Sequence, residues 1–246
     1  MKIKTMKDKI VVSLAAVGAA LMVSQGVAAE HGASAAAKGP STNVAWTNEQ
    51  LRFVAQGDKN RGGQLNRDMF CASCHGDAGV APSASWPSLA GQRAEYTFKM
   101  LKDYKDGKRH GSQTSEIMVK VAQLLTDQDM ADLAQFYASF ALPKLPDGVS
   151  FDAALAEKAR SVVTRGDGKR LVAPCQACHG PNGEGSVTDT PALAGQTPDY
   201  FIKTMHEYKS GARASDVYSR MRLIAKTLSD EEIEQMAHYY AGMTAK

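Results

Sequence analysis

Apolar positions in this chain recur at helical spacing, and they do so twice. Residues 93–105 and 197–209 place apolar and aromatic side chains three and four apart, and Gly107 and Gly211 follow as stops. Thr126-Asp127-Gln128-Asp129 and Ser229-Asp230-Glu231-Glu232 read as capping boxes, with the hydroxyl residue at the cap and an acid three positions on. The helices they open carry Met130, Leu133, Ala134, Phe136 and Tyr137, or Ile233, Met236, Ala237 and Tyr240, on one face. Strand-like alternation is weak throughout, so the pattern predicts an all-α protein.

The duplication extends well beyond these helices. A shift of 104 carries Cys71, Cys74 and His75 onto Cys175, Cys178 and His179, and Pro87 onto Pro191. It also carries Leu89-Ala90-Gly91-Gln92 onto Leu193-Ala194-Gly195-Gln196, Tyr96 onto Tyr200, Tyr104 onto Tyr208 and Arg109 onto Arg213. After a one-residue deletion the shift becomes 103 and carries Met118 onto Met221 and Tyr137 onto Tyr240. Two tandem domains are therefore expected, at 47–142 and 151–246. A linker at 143–150 joins them, where Pro143 and Pro146 end the preceding helix.

The start of the chain has a different pattern. Lys2, Lys4, Lys7 and Lys9 precede an apolar run from Ile10 to about Val23, and Val27-Ala28-Ala29 offers small residues for cleavage. Residues 1–29 read as a secretory signal peptide, since the run is short of the roughly 20 residues a membrane span needs. Residues 30–46, rich in Ala, Gly and Ser, read as a flexible tail. Export to the periplasm follows. The formal net charge of +3 resides in the signal, which holds four Lys and one Asp; the remaining chain is near neutral, with nothing to suggest nucleic-acid binding.

The repeat also contains the chemistry. Cys71-Ala72-Ser73-Cys74-His75 and Cys175-Gln176-Ala177-Cys178-His179 use all four cysteines. Cys-x-x-Cys-His reads as a c-type haem attachment site, in which two thiols add to one porphyrin and the histidine ligates its iron. A disulfide, a zinc site and a thioredoxin-like redox pair also use Cys-x-x-Cys, but none needs a histidine after the second cysteine in both copies. Two covalent haems are expected. Each half is small enough that porphyrin burial must complete its core.

The sixth iron ligand must come from elsewhere. Of eleven methionines, only Met118 and Met221 match under the repeat, and each lies eight residues before its capping Thr or Ser. They are the expected axial partners of His75 and His179. His110, His206 and His238 have no histidine counterpart, and His31 lies in the tail. Pro87 and Pro191, twelve residues after the ligating histidines, can offer a carbonyl to the imidazole Nδ1–H. Tyr96, Tyr104, Tyr200 and Tyr208 suit helix core, porphyrin packing or a bond to a propionate. Lys99, Lys102, Lys105, Lys108 and Arg109 form a basic stretch that reads either as a solvated helix face or as a steering patch for an acidic partner.

From about Gly57 to Tyr240 the chain resembles the dihaem cytochromes c4, most closely in Pro87-Ser88-Leu89-Ala90-Gly91-Gln92 and in 125–134. The resemblance implies two class I-like cytochrome c domains packed about a pseudo-twofold axis with their haem edges close. The N-terminal extension, including Trp46 to Gln56, departs from that pattern. The expected role is a periplasmic electron carrier that takes single electrons from a quinol-oxidising complex or a dehydrogenase and passes them to a terminal oxidase. Its partners are then redox proteins, with peripheral membrane association open. The alternatives are the cytochrome subunit of a dehydrogenase complex and a dihaem peroxidase, which would need one open iron.

Overall fold

A computed structural model describes residues 39–186 and 188–243. The signal-peptide reading of 1–29 and most of the tail reading of 30–46 fall outside them. Among the described residues the chain is helical, with two isolated β-bridges and no strand. The first half contains α1 (Asn48–Ala55), α2 (Lys59–Asp68), α3 (Ala72–His75), α4 (Ala94–Lys105), α5 (Gln113–Leu124) and α6 (Asp127–Ala138). The second contains α7 (Ala153–Arg165), α8 (Gln176–His179), α9 (Pro198–Ser210), α10 (Arg220–Thr227) and α11 (Asp230–Ala241). A 3₁₀ turn, Val217–Ser219, leads into α10.

The same plan builds both halves. The helix before the Cys-x-x-Cys-His turn packs on the last helix, α2 on α6 and α7 on α11, and α4 and α9 complete each core. Thr126 and Ser229 each accept from the backbone N–H three residues on, and Asp129 and Glu232 return the bond, as the sequence predicts. Gly211 ends α9 in the left-handed region at φ 82°. Phe98, Met130, Leu133 and Tyr137 centre one core; Phe201, Ile233, Met236 and Tyr240 centre the other.

Helix α1 has no counterpart in the second half. It comes from the N-terminal extension and packs on α4 and α6. The preceding stretch is fastened to both halves. Lys108 Nζ donates to Gly39 O at 3.3 Å, and Thr42 Oγ1 donates to Ala214 O at 2.8 Å.

The repeated Leu-Ala-Gly-Gln is explained by close packing. Gly91 and Gly195 each donate to the last helix of their own half, at Tyr137 O and Tyr240 O, both at 2.9 Å. Both have positive φ, and a Cβ at Gly195 would lie 1.9 Å from the carbonyl oxygen of Pro143. Only glycine fits there.

Candidate haem sites

Single helical turns carry the Cys-x-x-Cys-His motifs. Cys71 and Cys175 cap α3 and α8, and the backbone N–H groups of His75 and His179 donate back to their carbonyls at 2.9 Å. One turn puts positions i, i+3 and i+4 on a single face, so two thiols and an imidazole point the same way. All four cysteines are free, and among the described residues no three His, Cys, Asp or Glu side chains converge as a metal-binding cluster. Burial pushes the Cys71 thiol up and that of Cys175 up to about 11, opposite to the depressed pKa of a reactive redox pair.

The motif faces line one large, mainly apolar cavity that runs through both halves. Cys71, Cys74, His75 and Met118 line it from the first half, and Cys175, Cys178, His179 and Met221 from the second. Met118 lies on α5 and Met221 on α10, both half-buried. Met100, Met205 and Met236 also reach the cavity. The sulfur of Met100, however, already accepts from Arg213 Nη2 at 2.7 Å, and under the repeat Met205 and Met236 stand where the first half has Leu101 and Leu133. None of His110, His206 and His238 lines the cavity.

Both motif histidines are buried, and their Nδ1 atoms lie 2.9 Å from the carbonyl oxygens of Pro87 and Pro191. A carbonyl only accepts, so Nδ1 carries the proton and the Nε2 lone pair is free. Burial pushes both imidazoles below their ordinary pKa, against the carbonyl contact that favours protonation. A neutral imidazole with its lone pair available is what an iron ligand requires.

The halves meet through paired groups, among them two glutamines for which the sequence suggested no role. Gln92 Nε2 donates to Ala192 O at 3.1 Å, and Ala192 N donates to Gln92 Oε1 at 2.8 Å. Gln196 makes the reciprocal pair with Ser88, both bonds at 3.0 Å. Arg109 reaches across to Tyr200 Oη at 3.3 Å, and Arg213 reaches back to Tyr96 Oη at 3.1 Å. Each guanidinium also lies over a tyrosine of its own half, Tyr104 or Tyr208. Both arginines are buried, and neither forms an ion pair with a carboxylate among the described residues. Arg109 Nε, Arg213 Nε and Arg213 Nη1 are buried without partners. Arg109 lines the cavity, and a buried cation without a carboxylate calls for an anion there; porphyrin carboxylates supply one. The apolar volume, the paired thiols, the neutral imidazoles and the Arg109 guanidinium without a carboxylate all fit haem.

Most of the basic stretch 99–109, on α4 and just beyond it, is not a solvated face. Lys99, Lys102 and Arg109 are buried. Lys99 Nζ donates to Asp103 at 2.5 Å and to Ser215 O at 2.7 Å, while Lys102 pairs with Asp127 at 3.0 Å and Lys105 bonds Leu125 O. Intramolecular partners and the second half cover this face. A run of lysines in sequence does not reveal such cover.

Comparison with known proteins agrees with the geometry. The cytochrome c family profile matches twice, over residues 60–140 and 166–243. A cytochrome c4 of Thiocapsa roseopersicina is 36% identical over 184 residues, which cover 74% of this chain and 91% of that protein. The thiosulfate dehydrogenase electron acceptor of Stutzerimonas stutzeri strain A1501 is 34% identical over 196 residues, covering 78% and 88%. The crystal structure of reduced recombinant cytochrome c4 from Pseudomonas stutzeri matches with a TM-score of 0.67 at 30% identity, over 76% of this chain and 100% of that one. Fold and site thus define a c-type cytochrome with two covalently bound haem c groups, an electron-transfer protein. Within that class the chain belongs to the dihaem cytochrome c4 family.

Proposed function

We propose that Cys71 and Cys74 hold one haem and Cys175 and Cys178 the other, with His75 and Met118, and His179 and Met221, as axial ligands. The observation that carries this reading is the convergence of each motif histidine and its repeat-matched methionine on the same cavity. When bound, each haem supplies a one-electron iron couple whose potential methionine ligation raises. The protein's own residues orient the imidazoles through Pro87 and Pro191, exclude water with the two cores, and place buried cations beside the cavity. A histidine and a methionine on each iron would leave no open position for a substrate, which supports a carrier over a peroxidase.

The carrier works in the periplasm and passes electrons between respiratory partners, from a quinol-oxidising complex to a terminal oxidase. The basic, apolar-run and small-residue order of residues 1–29 supports export, and no helix among the described residues is long and apolar enough to cross a membrane. A transient redox contact needs only a small surface. Exposed Phe70, Ile117 and Leu124 near the first site, and Leu171, Tyr218 and Leu223 near the second, offer apolar contact for one. A second reading makes a dehydrogenase the electron donor; the relatives named thiosulfate dehydrogenase electron acceptor support it.

An optical redox titration of the purified holo-protein tests the site reading. Two low-spin haems are expected, and Met118→Ala or Met221→Ala should each convert one to high spin. A high-spin haem in the unmodified protein, or variants with unchanged spectra, would overturn it.

A further inference from the structure

The peptide group joining Pro87 to Ser88 does two things at once. Its carbonyl oxygen lies 2.9 Å from His75 Nδ1, and its N–H donates to Gln196 Oε1 at 3.0 Å. The peptide joining Pro191 to Ala192 repeats this, with His179 Nδ1 at 2.9 Å on one side and Gln92 Oε1 at 2.8 Å on the other. Each chain crosses from one half to the other. Backbone bonds fix the orientation of both glutamines: Gln92 Oε1 also accepts from Arg93 N at 2.9 Å, and Gln196 Oε1 from Thr197 N at 3.0 Å. Gln92, Gln196 and Ser88 are all buried.

A peptide C–N bond has partial double-bond character, so polarising its N–H changes its carbonyl oxygen. Hydrogen bonds chained through such a group strengthen one another, more so away from water. An acceptor on the Ser88 N–H therefore makes Pro87 O a better acceptor for His75, and the imidazole becomes a stronger donor to its metal.

We infer that Gln196 and Gln92 are positioning residues for the histidines of the opposite halves, so that each domain tunes the other's haem through one shared peptide group. The inference rests on His75 and His179 being iron ligands. A more basic imidazole favours the oxidised iron, so releasing Gln196 should raise the potential of the first haem, and releasing Gln92 that of the second.

The test is a pair of full-length holo-protein variants, Gln196→Leu and Gln92→Leu, each titrated optically. Hyperfine-shifted haem resonances are assigned to a half by the nuclear Overhauser contacts they make with that half's own residues. Gln196→Leu should raise the reduced-to-oxidised ratio of the first haem roughly threefold at fixed ambient potential, about 28 mV at 59 mV per tenfold change. The second haem should move less, and Gln92→Leu should give the mirror result. Should a Leu variant fail to fold, as judged by haem content and helical circular dichroism, Gln→Asn replaces it, since the shorter amide cannot span to the other half. Equal shifts of both haems, a shift confined to the substituted half, or no shift would overturn the inference. Failure of the underlying ligand reading shows separately, as a haem in the unsubstituted protein that is not low-spin.

Discussion

Replacing Lys99 with methionine is expected to destabilise the holo-protein by about 3–5 kcal/mol, the usual penalty for breaking a buried ion pair from one side. The side chains of Lys99 and Asp103 are 2% and 0% exposed, and the ammonium also donates to Ser215 O in the other half. Without Lys99, Asp103 keeps only the Ser215 hydroxyl at 2.7 Å, and its Oδ1 already lacks a partner. At roughly 2–4 °C per kcal/mol for a chain of this size, the melting temperature should fall by about 6–20 °C. Lys99→Met/Asp103→Leu removes both charges and should lie close to wild type. The pH dependence has a definite sign. Burial pushes the Asp103 carboxyl above its ordinary pKa, and Lys99 is the strongest influence opposing that shift. In Lys99→Met the folded-state pKa rises further, so the destabilisation is complete above that pKa and fades as pH falls through it. Thermal melts of wild type, both singles and the double, followed by helical circular dichroism at neutral and acid pH, read this directly. A single variant within about 1 kcal/mol of wild type, or a double as unstable as Lys99→Met, would show that Lys99 and Asp103 do not act as a buried ion pair.

Two further predictions concern the backbone. Gly195→Ala puts a Cβ against Pro143 O and forces alanine to a φ of +70°. A loss of at least about 2 kcal/mol is expected in thermal melts, since strain and backbone clash add. Ser229→Ala removes the cap of α11 and should cost about 1 kcal/mol in the same assay, while haem content stays at two.

Much of this molecule is legible in its residues. The cap at Thr126 and the stop at Gly211 fall where local rules put them, because capping and left-handed turns are decided within a few residues. The helices expected over 93–105 and 197–209 form as Ala94–Lys105 and Pro198–Ser210. What local pattern misses are contacts between the halves. Gln92 and Gln196 are visible only as a repeated letter, because nothing in the sequence marks an amide as bonding a backbone about a hundred residues away. The lysines of α4 read as a surface because their cover, Asp127, Leu125 and Ser215, comes from other elements. Arg109 and Arg213 match under the repeat, but burial without a carboxylate became apparent only in three dimensions.

Peptide mass mapping of the purified protein reads covalent haem attachment at each motif. One haem is expected on the peptide containing Cys71 and Cys74 and one on the peptide containing Cys175 and Cys178. Recovery of either cysteine pair unmodified from protein that is otherwise fully matured would contradict it.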